Sequence, residues 1–124
     1  MLKSVFHTGV AVEDLEASIE QFEKLGFKVT NRFKKPDLNA KAAILNKGEA
    51  NYELFEFSDT RHPQFVFISN HIAFYSDDLE ADLADFVERG YNITSPITEG
   101  ITVRYVYVQD SVGTNIELAT EKAS

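Results

Sequence analysis

The feature that most limits what this chain can become is an internal repeat. Thr114-Asn115-Ile116-Glu117-Leu118 is a variant of Ala50-Asn51-Tyr52-Glu53-Leu54, which stands 64 residues earlier. The same offset, without a gap, lays His7 on His71, Asp14-Leu15-Glu16-Ala17 on Asp78-Leu79-Glu80-Ala81, Phe22 on Phe86, Gly26 on Gly90 and Thr30 on Thr94. One half of the protein is therefore a diverged copy of the other. Each copy keeps a histidine at its start and a glutamate at its end, residue types able to bind a divalent metal or to move a proton.

Periodicity gives each copy the same order of elements. Val5–Val12 is rich in β-branched and small apolar residues and reads as a strand buried on both sides. Asp14 is placed as a helix N-cap, Leu15, Ile19, Phe22 and Leu25 recur at helical spacing, and Gly26 supplies the stop. Phe27–Phe33 returns to strand character, and Lys34-Lys35-Pro36-Asp37 reads as a turn or loop. Ala40–Leu45 and Asn51–Phe57 read as two more strands joined by a hairpin turn at Asn46-Lys47-Gly48-Glu49. The unit is β-α-β-β-β. After a polar stretch from Ser58 to Gln64 it starts again. His71–Tyr75 is the first strand, Asp78 caps a helix whose apolar face is Leu79, Leu83, Phe86 and Val87, and Gly90 ends that helix. Tyr91–Thr94, Ile101–Val108 and Thr114–Ala119 follow as strands, with a turn at Asp110-Ser111-Val112-Gly113 and a frayed tail from Glu121 to Ser124. The expected organisation is one domain over residues 1–124, with repeats at about 5–57 and 69–120 and a linker at 58–68.

Strand alternation decides which acids accompany the histidines, because successive side chains point to opposite faces. Ile116 and Leu118 share the apolar face, and Asn115, Glu117 and Ala119 the other. By the repeat, Tyr52 and Leu54 face the helix, whereas Asn51, Glu53, Phe55 and Phe57 look to the opposite, concave side; Glu56 falls on the wrong face. Small residues beside each histidine, Gly9 and Ala11 in one copy and Ala73 in the other, leave room for a ligand.

Composition narrows the partners. A balance of 20 acidic against 12 basic residues, formally −8, is repelled by phosphate backbones and anionic lipid, so neither nucleic acid nor membrane is expected. The absence of cysteine removes disulfides and thiolate chemistry. The start, Met1-Leu2-Lys3-Ser4, lacks the layout of a signal peptide, no apolar run approaches membrane-spanning length, and a cytoplasmic location is the default expectation.

With these residues in view, the chain resembles the vicinal oxygen chelate superfamily, which includes glyoxalase I, methylmalonyl-CoA epimerase, extradiol dioxygenases and the fosfomycin and bleomycin resistance proteins. The resemblance is carried by Phe6-His7-Thr8, Val12-Glu13-Asp14-Leu15, Leu25-Gly26-Phe27, Tyr52-Glu53-Leu54, Asn70-His71-Ile72-Ala73-Phe74 and Ile116-Glu117-Leu118. It implies an α+β fold in which two tandem βαβββ modules form a curved mixed sheet around a central cleft. It also implies a divalent metal (Ni, Co, Zn, Mn or Fe) held by His7, Glu53, His71 and Glu117, with Glu117 or its mate Glu53 as the base. A carboxylate in both units is closest to the ligand pattern of glyoxalase I.

The function expected on this basis is a glyoxalase I-like lyase or isomerase acting on an α-hydroxycarbonyl or hemithioacetal through a metal-stabilised enediolate. The competing readings are an epimerase or dioxygenase of the same superfamily, or a non-catalytic small-molecule binder of the bleomycin-resistance type. The expected partner is a small-molecule substrate, and the family resemblance implies a homodimer. Tyr105 and Tyr107 are candidate pocket residues, Phe55 and Phe57 a candidate apolar wall, and Arg32, Arg61 and Arg104 candidates for an anionic substrate, each singly reading more simply as core or surface. His62 has no counterpart in the repeat and reads as linker.

Overall fold

A computed structural model describes residues 2–100 and 102–122. They fall into two compact units, His7–Asn70 and Met1–Phe6 with His71–Ser124. In chain order the first elements are strand β1 (Leu2–Ala11), helix α1 (Leu15–Lys24), strand β2 (Lys28–Lys35), a 3-10 turn (Pro36–Leu38), and strands β3 (Ala40–Lys47) and β4 (Ala50–Phe57). Helix α2 (Phe65–Ile68) follows, then β5 (Asn70–Ser76), α3 (Leu79–Glu88), β6 (Asn92–Ile93), β7 (Thr98–Glu99), β8 (Val103–Gln109) and β9 (Asn115–Glu121). The chain is thus α+β, and no helix among the described residues is long and apolar enough to cross a membrane.

In the His7–Asn70 unit the strand order is β2-β3-β4-β1, with β1 parallel to β4 and the other pairs antiparallel. In the other unit it is β5-β9-β8-β6, with β5 parallel to β9 and β7 also paired to β8. A parallel pair needs a crossover, and α1 and α3 begin the two crossovers. Each helix lays its apolar side on its own sheet. Leu15 and Ile19 pack with Ala43, Leu45 and Leu54, and Leu79 packs with Val106, Val108, Ile116 and Leu118.

The two helices are built alike, 64 residues apart at both ends. The Asp14 and Asp78 carboxylates accept from the N–H groups of Ala17 and Ala81, at 3.0 and 3.1 Å. At the other end Gly26 and Gly90 take φ of +97° and +100°, a left-handed conformation that L side chains adopt only with strain. The chain then doubles back. Phe27 N–H donates to the Phe22 carbonyl and Tyr91 N–H to that of Phe86, and the two rings of each pair pack 5.2 and 4.8 Å apart. This six-to-one bond with its apolar contact is the Schellman motif.

Several details differ from the sequence expectation. Val5 is 58% exposed, so the first strand is not buried on both sides along its length. Leu25 and Val87 are exposed rather than on the helices' apolar faces, Leu25 because it has become the C-cap. Lys34 and Lys35 remain in β2, whose ladder runs as far as the Lys35–Ala40 pair, so only Pro36 and the residues after it turn. The strand expected at Tyr91–Thr94 shortens to β6, and β7 is an addition. Ile101, expected to open the next strand, lies outside the described residues, as do Ala123 and Ser124 of the expected tail, whereas Glu121 belongs to β9. Residues 58–68 include α2, where Ile68 is buried and Phe65 packs edge-on against Phe57, 5.2 Å between ring centres.

Candidate metal-binding residues

In the His7–Asn70 unit, Gly9 of β1 stands directly across from Glu53 of β4. His7 is two residues before Gly9 and therefore on the same face. The His7 imidazole meets the Glu53 carboxylate there, with Nε2 3.1 Å from Glu53 Oε1. The second unit repeats this arrangement. Ala73 stands across from Glu117, and His71 Nε2 lies 3.2 Å from Glu117 Oε1. All four side chains are buried, at 2, 5, 1 and 4% exposure for His7, Glu53, His71 and Glu117.

The spacing within each pair fits two ligands of one ion. Donors each about 2.0–2.1 Å from a metal lie about 3.0 Å apart at a right angle and about 3.4 Å apart at the tetrahedral angle, and both pairs fall between. A nitrogen with a carboxylate oxygen suits the middle and late first-row divalent metals.

The third strand distinguishes the copies. Ile44 of β3 faces Glu53, whereas in the second hairpin the register is one residue different and Tyr107 of β8 faces Glu117. The Tyr107 ring meets the His71 ring edge to face at 5.1 Å, and Tyr105 meets Tyr107 at 5.9 Å. One row along, Tyr75 of β5 stacks on Phe6 at 4.4 Å. Burial, then the negative charges of Glu121 and Glu117, push its phenol above the usual tyrosine range. Tyr75 was legible only as a neighbour of His71 on the alternating face; its contact with Phe6 needs the two strands placed.

The remaining candidates are accounted for within the units. Glu56 does point away from Glu53: it accepts from the Leu15 N–H at 2.8 Å, a second acceptor at the start of α1, and pairs with Lys41. Phe55 and Phe57 are buried, and Phe57 is covered by the rings of Phe65 and His62, so it packs the segment after β4 instead of standing open as a wall. His62 shapes that segment, its Nδ1 accepting from Gln64 N–H at 3.1 Å. The three arginines are tied to carboxylates, Arg32 to Glu16, Arg61 to Asp59, and Arg104 to both Glu80 and Glu99. No sequence signal separated these arginines from substrate ligands, because their partners lie in other elements or in turns.

A family described as the glyoxalase/bleomycin resistance protein/dioxygenase superfamily matches residues 6–108. The chain belongs to that superfamily. Among solved structures, a methylmalonyl-CoA epimerase variant from Streptomyces coelicolor in complex with 2-nitronate-propionyl-CoA is similar, with a TM-score of 0.83 and 24% identity over 99% of this chain and 100% of that one. A methylmalonyl-CoA epimerase from Mycobacterium tuberculosis aligns with a TM-score of 0.82 and 21% identity, covering 98% and 90% of the two chains. A hypothetical protein from Bacillus halodurans C-125 aligns with a TM-score of 0.81 and 21% identity, covering 97% and 95%. No curated protein matches the sequence. The likeness to these structures is one of fold.

Proposed function

We propose that this protein is a metal-dependent enzyme that moves a proton next to a carbonyl, with His7, Glu53, His71 and Glu117 as the ligands of one divalent ion. We further propose that the reaction is epimerisation of an acyl thioester rather than the glyoxalase I reaction. The observation that carries the reading is the recurrence of one buried His–Glu pair, at 3.1 and 3.2 Å, in both copies. A satisfied polar pair needs no such duplication, whereas a cation is served by two imidazoles and two carboxylates.

A divalent ion held by these groups would polarise an adjacent substrate oxygen and acidify the C–H beside it. The residues then have complementary work. One carboxylate takes the proton and its counterpart in the other copy returns one, and an epimerase needs an acid for each face of the reacting carbon. The imidazoles hold position, and the burial of all four groups keeps bulk water from competing for the proton. Fold relatives whose structures are those of methylmalonyl-CoA epimerases favour this reading over the lyase. The family resemblance adds a homodimer, which light scattering at twice the monomer mass would test.

Metal analysis should find about one first-row divalent ion per chain after purification without chelator, and Glu53→Gln with Glu117→Gln should remove it. In deuterated water the metal-loaded protein should exchange the α-proton of methylmalonyl-CoA, and Glu117→Gln should slow this by about a hundredfold or more. Turnover of a hemithioacetal with an inert thioester would move the assignment to the lyase. Failure to bind any of Mn, Fe, Co, Ni or Zn would sink the metal reading.

A further inference from the structure

We infer that the His7–Asn70 unit carries a second site, on the face of its sheet opposite Glu53, that binds a phosphoryl dianion. Lys34 of β2, Lys41 of β3 and Glu56 of β4 stand in one row across the ladders. Glu56 lies three residues from Glu53 and so on the other face. An open cavity of about 470 Å³ is lined by all three and by Asn39 and Ser58.

Charge is spread unevenly along the chain. Residues 24–47 hold seven of the 12 basic residues and, of the 20 acidic ones, only Asp37. The net −8 that repels long polyanions therefore does not describe this cavity, because salt screens exposed charges beyond about 10 Å. Lys34 and Lys41 are directly opposite each other, a placement that is destabilising for like charges. Glu56 relieves it only in part, since its two oxygens are divided between Lys41 at 3.5 Å and the Leu15 N–H at 2.8 Å. Lys34 is exposed and makes no ion pair or hydrogen bond with any described residue. A lysine on an edge strand serves to keep other strands away, which accounts for Lys34 taken singly. It does not account for Lys41, which is in an inner strand, nor for the cavity that the two share.

The lining gives the class of ligand. Besides the two ammonium groups, the Asn39 amide and the Ser58 hydroxyl offer donors, and neither side chain is bonded to a described residue. The two residues are tied through the backbone instead, Ser58 N–H donating to the Asn39 carbonyl at 3.0 Å. A phosphate group brings a charge of about −1.5 to −2 at pH 7 and three strong acceptor oxygens, which suits two cations and several donors. A carboxylate brings one charge and two oxygens, and Glu56 already supplies one. The volume falls within the roughly 300–1,000 Å³ of small-molecule sites, so it admits free phosphate or the monoester of a small alcohol. The site lies across the sheet from Glu53 and does not depend on the metal proposal.

Titration of ¹⁵N-labelled protein with glycerol 2-phosphate tests this. At about 0.15 M salt the amide signals of Lys34, Asn39, Lys41 and Ser58 should shift saturably, with a Kd on the order of 1 mM or tighter. Lys34→Met, at an exposed position, should fold as the wild type and weaken binding at least about tenfold, and Lys34→Arg should retain it. Glu53→Gln with Glu117→Gln should bind as the wild type does, which separates this site from phosphate taken up by a metal. Inorganic phosphate as tight as the ester would support the proposal with the free ion as ligand, and a tighter ester would support it with an organic phosphate. Shifts matched by sodium chloride at equal ionic strength, unchanged by Lys34→Met, or lost in the double glutamate variant would overturn it. Succinate binding as tightly as the ester would overturn the choice of a phosphoryl group.

Discussion

Two glutamates three residues apart, Glu53 and Glu56, have unlike roles because a strand turns successive side chains to opposite faces. Glu53 meets His7, and Glu56 accepts from the first N–H of α1. The difference is measurable. Glu56→Gln should leave metal content at the wild-type level and cost about 1 kcal/mol in urea unfolding, the scale of one weakened hydrogen bond. Glu53→Gln should do the reverse, with metal lost and stability of the metal-free protein little changed. Equal metal loss in both variants would mean that the faces are wrongly assigned. At this scale alternation placed Glu53 on the face of His7 and Glu117 on that of His71, and in the structure each of these glutamates lies beside its histidine. Alternation did not reveal Tyr107 as the ring against His71, because a one-residue register difference in a hairpin is invisible until the strands are paired.

The two helices offer an internal control at the scale of elements. Loss of either N-cap, by Asp14→Ala or Asp78→Ala, should cost about 1 kcal/mol in chemical denaturation. Gly90→Ala isolates backbone strain, since a Cβ there would meet nothing within 4 Å and only φ opposes it. It should destabilise by about 1–2 kcal/mol. Gly26→Ala should cost at least as much, because its Cβ would also press on the Lys47 side chain at 3.3 Å. A neutral Gly90→Ala would show that the turn relaxes and that glycine is not needed there. Caps and stops were legible beforehand, since Asp and Gly act through local backbone chemistry. The exposure of Leu25 was not, because helical periodicity ran one residue past the point where the chain leaves the helix.

At the scale of the molecule, both cores rest on strand residues that are fully buried against a helix. Leu54→Ala and Leu118→Ala should each cost about 2.7–5 kcal/mol, the range for leucine truncation in a packed core. A loss under about 1 kcal/mol at either would contradict the packing described. Acid should also unfold the protein from its carboxylates. Arg104 holds Glu80 and Glu99 below the usual 4.5, and the N–H groups of Thr114 and Val112 hold Asp110 below 3.8. A carboxyl with a lowered folded value contributes stability that is present above its unfolded value and disappears as pH falls through the folded one. The melting temperature should therefore change little with these groups down to about pH 5 and fall below about pH 4.5. Asp110→Asn should flatten the lowest part of that fall. A melting temperature that rose on acidification would reverse the sign of the argument.

What the sequence determined by itself is whatever depends on near neighbours or on the repeat. Asp14 and Asp78 cap, Gly26 and Gly90 stop, strands alternate, and a 64-residue offset doubles every conclusion, including the two His–Glu pairs. These follow because capping bonds and strand alternation act within a few residues of chain. The tertiary structure alone decided which cations are held by carboxylates from other elements, that α2 folds Phe65 onto Phe57, and that Lys35 stays in the ladder to lie over Phe55. Those outcomes depend on residues far apart in sequence brought side by side, where Coulomb attraction and ring contact act over distances that no local pattern encodes.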